Sequence, residues 1–156
     1  MTPAVHLSDG TILDLDAVMR VMEDSFDPAY GEAWSAPQCS SLLPMPGVWL
    51  VLAQDGDEVV GFSLARVVFK EAELLLLAVM KKARQRGGGK ALLRRFVQDA
   101  ETKGAQELHL EVRDGNSAVK LYNSMGFAEV GRRKKYYTGR DGQVFDSITL
   151  SRSLAG

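Results

Sequence analysis

Hydrophobic and polar residues alternate along the chain with periods that change from one segment to the next. After Asp14, a preferred helix N-cap residue, apolar side chains recur every three or four positions, as on one face of a helix. They are Leu15, Val18, Met19, Met22 and Phe26. The pattern predicts an amphipathic helix, followed by an irregular loop that holds four of the five prolines and a short helix at 37–43. Long loops on compact domains are often binding elements.

The middle of the chain has the patterns of strands and of one helix. VWLVLAQ and VVGFSLARVVF are rich in strand-forming residues, and DGDE between them predicts a hairpin. AELLLLAVM is continuously apolar, which predicts a strand buried on both faces. A helical stripe then runs from Lys90 to Lys103 and ends at Gly104. ELHLEV alternates, so His109 and Glu111 lie on its polar face.

The order of these elements predicts the fold class. A strand, a helix and a second strand with a crossover of this length predict a parallel pair of strands. Asn116 is expected to cap a short helix in SAVKLYNSM, and FAEVGRRKKYY and VFDSITLSRSL flank TGRDGQ as a final hairpin. We therefore expect an α/β fold with a mixed sheet and helices on its faces, in a single domain over residues 1–156.

Composition and charge narrow the class of protein. The chain has 156 residues, 46% hydrophobic and 25% charged, which suits one folded domain. Its net charge of -1 gives no global positive field for direct nucleic-acid binding. The single Cys39 cannot form an internal disulfide, and the first ten residues lack the basic and apolar regions of a signal peptide. The longest apolar run, LLLLAVM, is too short to span a bilayer, so we expect a cytoplasmic protein.

A glycine-rich stretch, RQRGGGKALL, lies between the apolar strand and the following helix. Free backbone N–H groups in such a turn and at a helix N-terminus form an anion site. The P-loop pattern fails because Ala91 follows Gly89-Lys90, and the dinucleotide pattern fails because Leu92 replaces its third glycine. What remains is Arg84-x-x-Gly87-x-Gly89, and the triplet alone leaves open a turn that binds nothing.

This turn resembles that of the GNAT superfamily of acetyl-CoA-dependent N-acetyltransferases, which binds the pyrophosphate of CoA. The resemblance runs from about Leu13 to Leu150 and includes LHLEVRDGNSAVKLYNSMGF and RRKKYYTGRDGQVFDSITL. Within the superfamily it is closest to bacterial enzymes that acetylate the N-terminal alanine of a small-subunit ribosomal protein. The chain departs from the family in having Met80-Lys81 where members usually have Asp-Pro.

The resemblance implies a GNAT-like fold and a donor site. The fold would be a central, mostly antiparallel, twisted sheet with flanking helices, in which the fourth and fifth strands are parallel and splayed. Acetyl-CoA would be the co-substrate, with no metal. The backbone of 77–79 and Asn116 would bind its pantetheine arm. The cofactor-binding residues implied in this way are Leu77, Ala78, Val79, Arg84, Gln85, Arg86, Gly87, Gly88, Gly89, Lys90 and Asn116.

Two residues are candidates for the chemistry. Glu111 lies at the carboxyl end of its strand, and the resemblance implies that it deprotonates the acceptor amine, directly or through water. Tyr122 would protonate the departing CoA sulfur, because a phenol is neutral at pH 7. The alternatives are an ion pair for Glu111 and simple core packing for Tyr122. His109 is a weaker candidate for an auxiliary base, and Cys39 a weak one for a nucleophile.

The acceptor site is implied by resemblance alone. The family builds its acceptor groove from the loop with Glu32 and Trp34 and the hairpin with Tyr136 and Tyr137, although cross-strand packing is an alternative for the tyrosines. We expect acetyl transfer to the N-terminal α-amine of a protein, with a ribosomal protein as the candidate partner. The alternatives are a small-molecule amine or a non-catalytic acyl-CoA-binding module. The oligomeric state does not follow from the sequence.

Overall fold

A computed structural model describes residues 5–154, which form one seven-stranded sheet in the order β1-β2-β3-β4-β5-β7-β6. Its strands are β1 (His6–Gly10), β2 (Val48–Asp55), β3 (Glu58–Val68), β4 (Glu71–Val79), β5 (Glu107–Arg113), β6 (Ala128–Thr138) and β7 (Val144–Ser153). The α-helices in these residues are α1 (Leu15–Ser25), α2 (Ala36–Leu42), α3 (Gly88–Thr102) and α4 (Ala118–Ser124). Short 3-10 turns occupy Ile12–Asp14, Pro28–Tyr30 and Lys81–Ala83.

The parallel pair predicted from the sequence is β4 and β5, and every other neighbouring pair is antiparallel. The parallel pairing covers only Glu71–Leu74 against Glu107–Leu110. At this point Leu75 is an extra residue in β4, because Leu64 of β3 pairs with Leu76 and its neighbour Ala65 pairs with Leu74. A bulge of this kind bends a strand. Beyond it β4 and β5 separate, which confirms the mixed, splayed sheet.

Helices cover both faces of the sheet. Helices α1 and α2 pack with Phe62, Leu64 and neighbouring residues of β2 and β4 into one apolar cluster. On the opposite face, α3 and α4 pack against β5 and β7 around the fully buried Phe96. Cys39 lies in the first cluster, where burial raises the pKa of its thiol. A buried thiol with a raised pKa is a packing residue rather than a nucleophile.

Two local expectations need correction. Strand β4 is not buried on both faces, since its residues alternate between buried and half-buried. Residues of both sets, among them Leu77, Ala78 and Val79, line the opening made by the splay. Helix α3 begins at Gly88 rather than Lys90, because Gly87 adopts a left-handed conformation (φ 81°) at the N-cap and the helix follows at once.

The N-terminal region differs more from expectation. Strand β1 is not predicted by its sequence, HLSDG, because its place depends on backbone pairing with β2 rather than on an apolar pattern. Asp14 occupies the N-cap of α1 as predicted. Its carboxylate makes no capping hydrogen bond to α1 and accepts one from Thr11 N–H, at 2.8 Å. Helix α2 lies one residue earlier than expected, and both predicted hairpins are confirmed.

The single domain expected over residues 1–156 stays a prediction. The first four and the last two residues of the chain lie outside the described range. Within residues 5–154 no helix is long and apolar enough to cross a membrane. In the same range no group of three or more His, Cys, Asp or Glu side chains is arranged to hold a metal ion.

Candidate active site

A pocket of about 640 Å³ opens where β4 and β5 diverge. Its lining residues come from four regions of the chain, within 25–34, 73–90, 110–122 and 136–137. The predicted site residues that line it are Glu32, Trp34, Leu77, Ala78, Val79, Arg84, Gln85, Gly87, Gly88, Gly89, Lys90, Glu111, Asn116, Tyr122, Tyr136 and Tyr137. The fold therefore brings together every predicted site residue except Arg86.

Residues 84–90, which we name the glycine turn, form one end of this pocket. Gln85 and Gly87 both have left-handed backbones, with φ of 69° and 81°. The first N–H groups of an α-helix have no intrahelical acceptor, and α3 starts inside this turn at Gly88. The positive end of the helix dipole adds to them. The glycine turn is therefore a backbone site for an anion.

The glycines of this turn have different reasons to be glycine. Gly87 is required by its positive φ, while a Cβ there would meet no atom within 4 Å. At Gly89 a Cβ would lie 3.5 Å from Leu121 Cδ2, which is an ordinary contact. The protein alone therefore tolerates a side chain at Gly89, and a steric demand there would have to come from a ligand.

The side chains of both arginines of the glycine turn bind other parts of the protein. Arg84 donates hydrogen bonds to the carbonyl oxygens of Val79 (3.2 Å) and Ser25 (2.9 Å), which ties the end of β4 to α1. Arg86 does not line the pocket, because its guanidinium lies 2.6 Å from Asp55. That hydrogen bond holds the pKa of Asp55 below its usual range. The expected role of Arg86 as a pocket cation is therefore not supported by its position.

The segment that connects β4 to the glycine turn is held in place although Met80-Lys81 departs from the family pattern. The chain enters a 3-10 turn at Lys81–Ala83, and Lys81 N–H donates to Asp24 Oδ2 at 2.8 Å. This bond and those of Arg84 hold the segment against α1 from both ends.

Glu111 extends from β5 into the pocket and is 15% exposed. Ser147 Oγ donates to Glu111 Oε2 at 3.0 Å, and Thr149 Oγ1 lies 3.0 and 2.9 Å from the two carboxylate oxygens. Arg133 Nε lies 3.3 Å from Glu111 Oε1, but its side chain is 63% exposed. The ion pair considered from the sequence is thus present beside two hydroxyl donors. The carboxylate is fixed in orientation and still reaches solvent.

The two hydroxyl donors were missed by sequence reasoning, although a weak signal exists. Ser147 and Thr149 are two positions apart on β7, so they share a face, and they pair with Arg113 and Glu111 of β5. Ser147 is fully buried, which is uncommon for a polar residue without a partner. Its position next to Glu111 follows from strand order, which the sequence does not give.

Tyr122 is buried in α4, and its ring packs edge-to-face against Phe127 with 6.2 Å between centroids. Burial, together with the negative charge of Glu32, raises the pKa of Tyr122 above its usual range. The phenol therefore stays protonated at neutral pH. Core packing and a proton-donating hydroxyl are both compatible with this position.

The opposite side of the pocket is formed by residues 28–34 and 136–140, which we name the loop–hairpin wall. Here two backbones approach closely: a Cβ on Gly31 would overlap the carbonyl oxygen of Thr138, and one on Gly139 that of Ala29. Arg140 N–H also donates to Pro28 O at 3.0 Å. Loop and hairpin therefore form one continuous surface.

Side chains complete this wall. Glu32, with only 10% of its side chain exposed, accepts hydrogen bonds from Arg113 Nε (3.1 Å) and Asn116 Nδ2 (2.7 Å). Asn116 Oδ1 in turn accepts from the N–H of Ala118, the first residue of α4, at 2.8 Å. The N-cap itself is Ser117, one residue later than the sequence predicted. The sequence gives no indication of the contact between Glu32 and Arg113.

The aromatic residues of the wall form two groups. Arg113 Cζ lies 3.7 Å from the ring centroid of Tyr30, which contacts Phe145 edge-to-face. Tyr136 and Tyr137 also meet edge-to-face, at 4.9 Å, and both line the pocket. Burial and the charge of Glu32 raise the pKa of Tyr137. Packing against each other and lining the groove are therefore both true of the paired tyrosines.

Comparison with known proteins agrees with this geometry. The model of the Acetyltransferase (GNAT) family matches residues 15–127. The chain belongs to the acetyltransferase (GNAT) family. The donor of this family is acetyl-CoA, and the chain is an acetyltransferase with the family's fold. His109, considered as an auxiliary base, is not among the residues that line the pocket.

Curated relatives within the GNAT family are N-acetyltransferases. The chain is 39% identical over 97 residues to the [ribosomal protein bS18]-alanine N-acetyltransferase of Haemophilus influenzae, covering 62% of this chain and 66% of that protein. The enzyme of the same name from Escherichia coli K12 is 39% identical over 101 residues, or 64% of this chain and 67% of that protein. The aligned part thus spans about two thirds of each relative.

A solved structure extends the likeness to nearly the whole chain. The ribosomal-protein-S18-alanine N-acetyltransferase from Escherichia coli superposes with a TM-score of 0.86 at 28% identity. The superposition covers 97% of this chain and 95% of that protein. The expected GNAT-like fold is confirmed.

Proposed function

We propose that this protein transfers the acetyl group of acetyl-CoA to the N-terminal α-amine of a protein, with an N-terminal alanine of a ribosomal protein as its acceptor. The observation that carries the proposal is that the glycine turn, Glu111 and Tyr122 line one pocket at the splay of β4 and β5. The relatives that match the chain are named for alanine in ribosomal protein bS18, which supports this acceptor. Such a substrate implies a cytoplasmic location.

Donor binding follows from the backbone. The pyrophosphate of acetyl-CoA lies on the N–H groups of the glycine turn and the first turn of α3, where helix dipole and hydrogen bonds both favour an anion. The pantetheine arm runs beside Leu77–Val79. Its amides pair there with the edge of β4 that no longer pairs with β5 after Leu74. The thioester then reaches the centre of the pocket.

The chemistry uses a base and an acid on opposite sides of the thioester. The α-ammonium loses a proton to the Glu111 carboxylate, directly or through water, and the free amine attacks the thioester carbon. The C–S bond breaks as Tyr122 gives its proton to the sulfur. The remaining surplus proton on nitrogen passes to the Tyr122 phenolate, and Glu111 releases the proton it took from the ammonium to water. The products are an amide, free CoA thiol and one proton.

The partners of Glu111 suit this role. Ser147 and Thr149 hold the carboxylate in one orientation, which reduces the entropy lost when the acceptor binds. Arg133 is largely exposed, so an incoming α-ammonium replaces it as the cation beside Glu111. The peptide that follows the amine lies along the loop–hairpin wall, where Trp34, Tyr136 and Tyr137 offer apolar surface with polar tips.

Acceptor profiling with a free-thiol readout tests the proposal. The panel contains a ribosomal-type peptide that begins with alanine, the same peptide with a blocked N-terminus, a peptide with lysine as its only amine, and a polyamine. We expect thiol release with the first peptide and only background release with the blocked one. Activity confined to small amines would overturn the acceptor, and no acceptor-dependent release from any member would overturn the transfer itself.

A further inference from the structure

Both oxygens of the Glu32 carboxylate accept hydrogen bonds from side chains of the protein. One oxygen accepts from Arg113 Nε at 3.1 Å and the other from Asn116 Nδ2 at 2.7 Å, and only 10% of the side chain is exposed. Both oxygens of Glu32 thus already have a donor from the protein, and its side chain is more enclosed than that of Glu111. Glu32 joins three segments of the protein: the acceptor-side loop, β5 and the residues just before α4.

We propose that Glu32 is a positioning residue that couples the loop–hairpin wall to the helix that carries Tyr122. The proposal rests on the function proposed above, and it replaces direct acceptor contact as the role of Glu32. Its basis is a path of hydrogen bonds from Glu32 through Asn116 to α4, together with the ion pair between Glu32 and Arg113.

The first part of the path runs through Asn116. Its amide nitrogen donates to Glu32, and its amide oxygen accepts from Ala118 N–H at 2.8 Å. The Glu32 bond therefore selects the amide orientation in which the oxygen faces Ala118 and satisfies the first N–H of α4. Tyr122 lies four residues after Ala118, one turn further along the same side of the helix. Loss of Glu32 releases the amide and loosens the turn below Tyr122.

The second part of the path runs through Arg113. Its side chain is 12% exposed, and its guanidinium lies on the ring of Tyr30 in the 3-10 turn of the loop, with Phe145 of β7 at 5.8 Å. A cation this buried needs a counter-charge, because leaving it unpaired costs far more than the pair contributes. Glu32 supplies that charge from the same loop. Arg113 thus contacts both Tyr30 and Glu32, so it holds the loop and the Glu32 carboxylate in place at the same time.

This coupling has a consequence for catalysis. The wall is already assembled without an acceptor, and Glu32 is held against Asn116 there. The Tyr122 hydroxyl is thus positioned in advance where the sulfur leaves, which favours turnover rather than acceptor affinity. Loss of Glu32 should consequently reduce kcat more than it raises the KM for the acceptor.

The first test measures the path without any acceptor. Amide hydrogen exchange by mass spectrometry compares wild type with Glu32→Gln and Glu32→Ala. The control is Asp99→Asn, which breaks a partly buried ion pair with Arg95 on the far part of α3. We expect the peptide spanning Asn116–Ser124 to exchange about tenfold faster in both Glu32 variants and unchanged in the control. Unchanged exchange of this peptide in both Glu32 variants would overturn the coupling.

The second test separates kcat from KM. For Glu32→Gln we expect kcat to fall about 10- to 100-fold, as for a catalytic group displaced by about an ångström, with acetyl-CoA affinity within about threefold of wild type. Glu32→Gln and Asn116→Ala should be far from additive, since they interrupt one path. A raised acceptor KM with unchanged kcat would make Glu32 a direct acceptor contact and overturn the proposal. If wild type proves inactive on peptides, the proposed function fails, and the exchange experiment still decides the coupling.

Discussion

The glycine turn and the loop–hairpin wall face each other across one pocket but are built in different ways. The turn is a contiguous stretch of seven residues, 84–90, in which backbone N–H groups and a helix end provide the binding surface. The wall joins residues more than a hundred positions apart through close backbone contacts, and a largely buried ion pair attaches it to Arg113 of β5. In the function proposed here, a contiguous stretch of backbone binds the donor and a surface assembled from distant residues binds the acceptor.

This difference explains how substitutions should act. A change in the glycine turn should alter donor affinity and leave turnover of bound donor nearly intact. A change between the two regions, at Glu111 or Tyr122, should alter turnover and leave donor affinity nearly intact. The predictions below test this separation.

Removing the Tyr122 hydroxyl should have the largest effect. Tyr122→Phe keeps the buried ring and removes only the proton donor, so kcat should fall about 10²- to 10⁴-fold, as is usual for loss of general acid catalysis. Steady-state kinetics measures the fall, while acetyl-CoA affinity and the melting temperature serve as controls and should stay close to wild type. Unchanged turnover would remove Tyr122 as the acid.

Neutralising Glu111 should have the next largest effect and a distinct pH dependence. Glu111→Gln should lower kcat/KM about 100-fold at neutral pH, because the acceptor amine is then mostly protonated and has lost its base. Above the ordinary α-amine pKa of about 8 the amine is already neutral, so the gap to wild type should narrow. Profiles that stay parallel across this pH range would contradict the base assignment.

A branched side chain at Gly89 should weaken donor binding by about tenfold, since its outer atoms would compete with the pyrophosphate for space. The folded protein accommodates a Cβ here, with Leu121 at ordinary contact distance, so Gly89→Ala is the matched control. The Kd for CoA should increase in Gly89→Val and stay close to wild type in Gly89→Ala. A normal Kd in Gly89→Val would place the pyrophosphate elsewhere.

Loss of one hydroxyl beside Glu111 should have the smallest effect. Thr149→Val keeps the shape and removes a donor to both carboxylate oxygens, so kcat should fall about tenfold, the equivalent of a hydrogen bond to a charged group. Thr149→Ser retains the hydroxyl and should recover most of the activity. Equal loss in both variants would indicate a packing role for the lost methyl instead.

Features that depend on local sequence were predictable, whereas features that depend on contacts between distant residues were not. The parallel strand pair, the hairpins, the glycine turn and the placement of Glu111 and Tyr122 depend on local patterns, and the structure has them where they were expected. The splay itself depends on an extra residue at Leu75 in an unbroken apolar run, which no local pattern reveals. Strand β1 likewise depends on pairing rather than on composition.

The side chains that support the site were harder to foresee. Arg113 and Glu32 are 81 positions apart, and Ser147 reaches Glu111 only because β7 lies beside β5. Arg86 shows the opposite error: a basic residue next to the glycines suggests a phosphate contact, yet it pairs with Asp55. Such partners depend on strand order and on competition between nearby charges.

The central claim is that this pocket acetylates the α-amine of a peptide. Tandem mass spectrometry can locate the product on an alanine-initiated ribosomal-type peptide with one internal lysine, incubated with acetyl-CoA and the wild-type protein. We predict one acetyl group on the N-terminal alanine, with Tyr122→Phe giving far less of the same product. Acetylation of the lysine side chain, or equal product with the variant, would contradict the account.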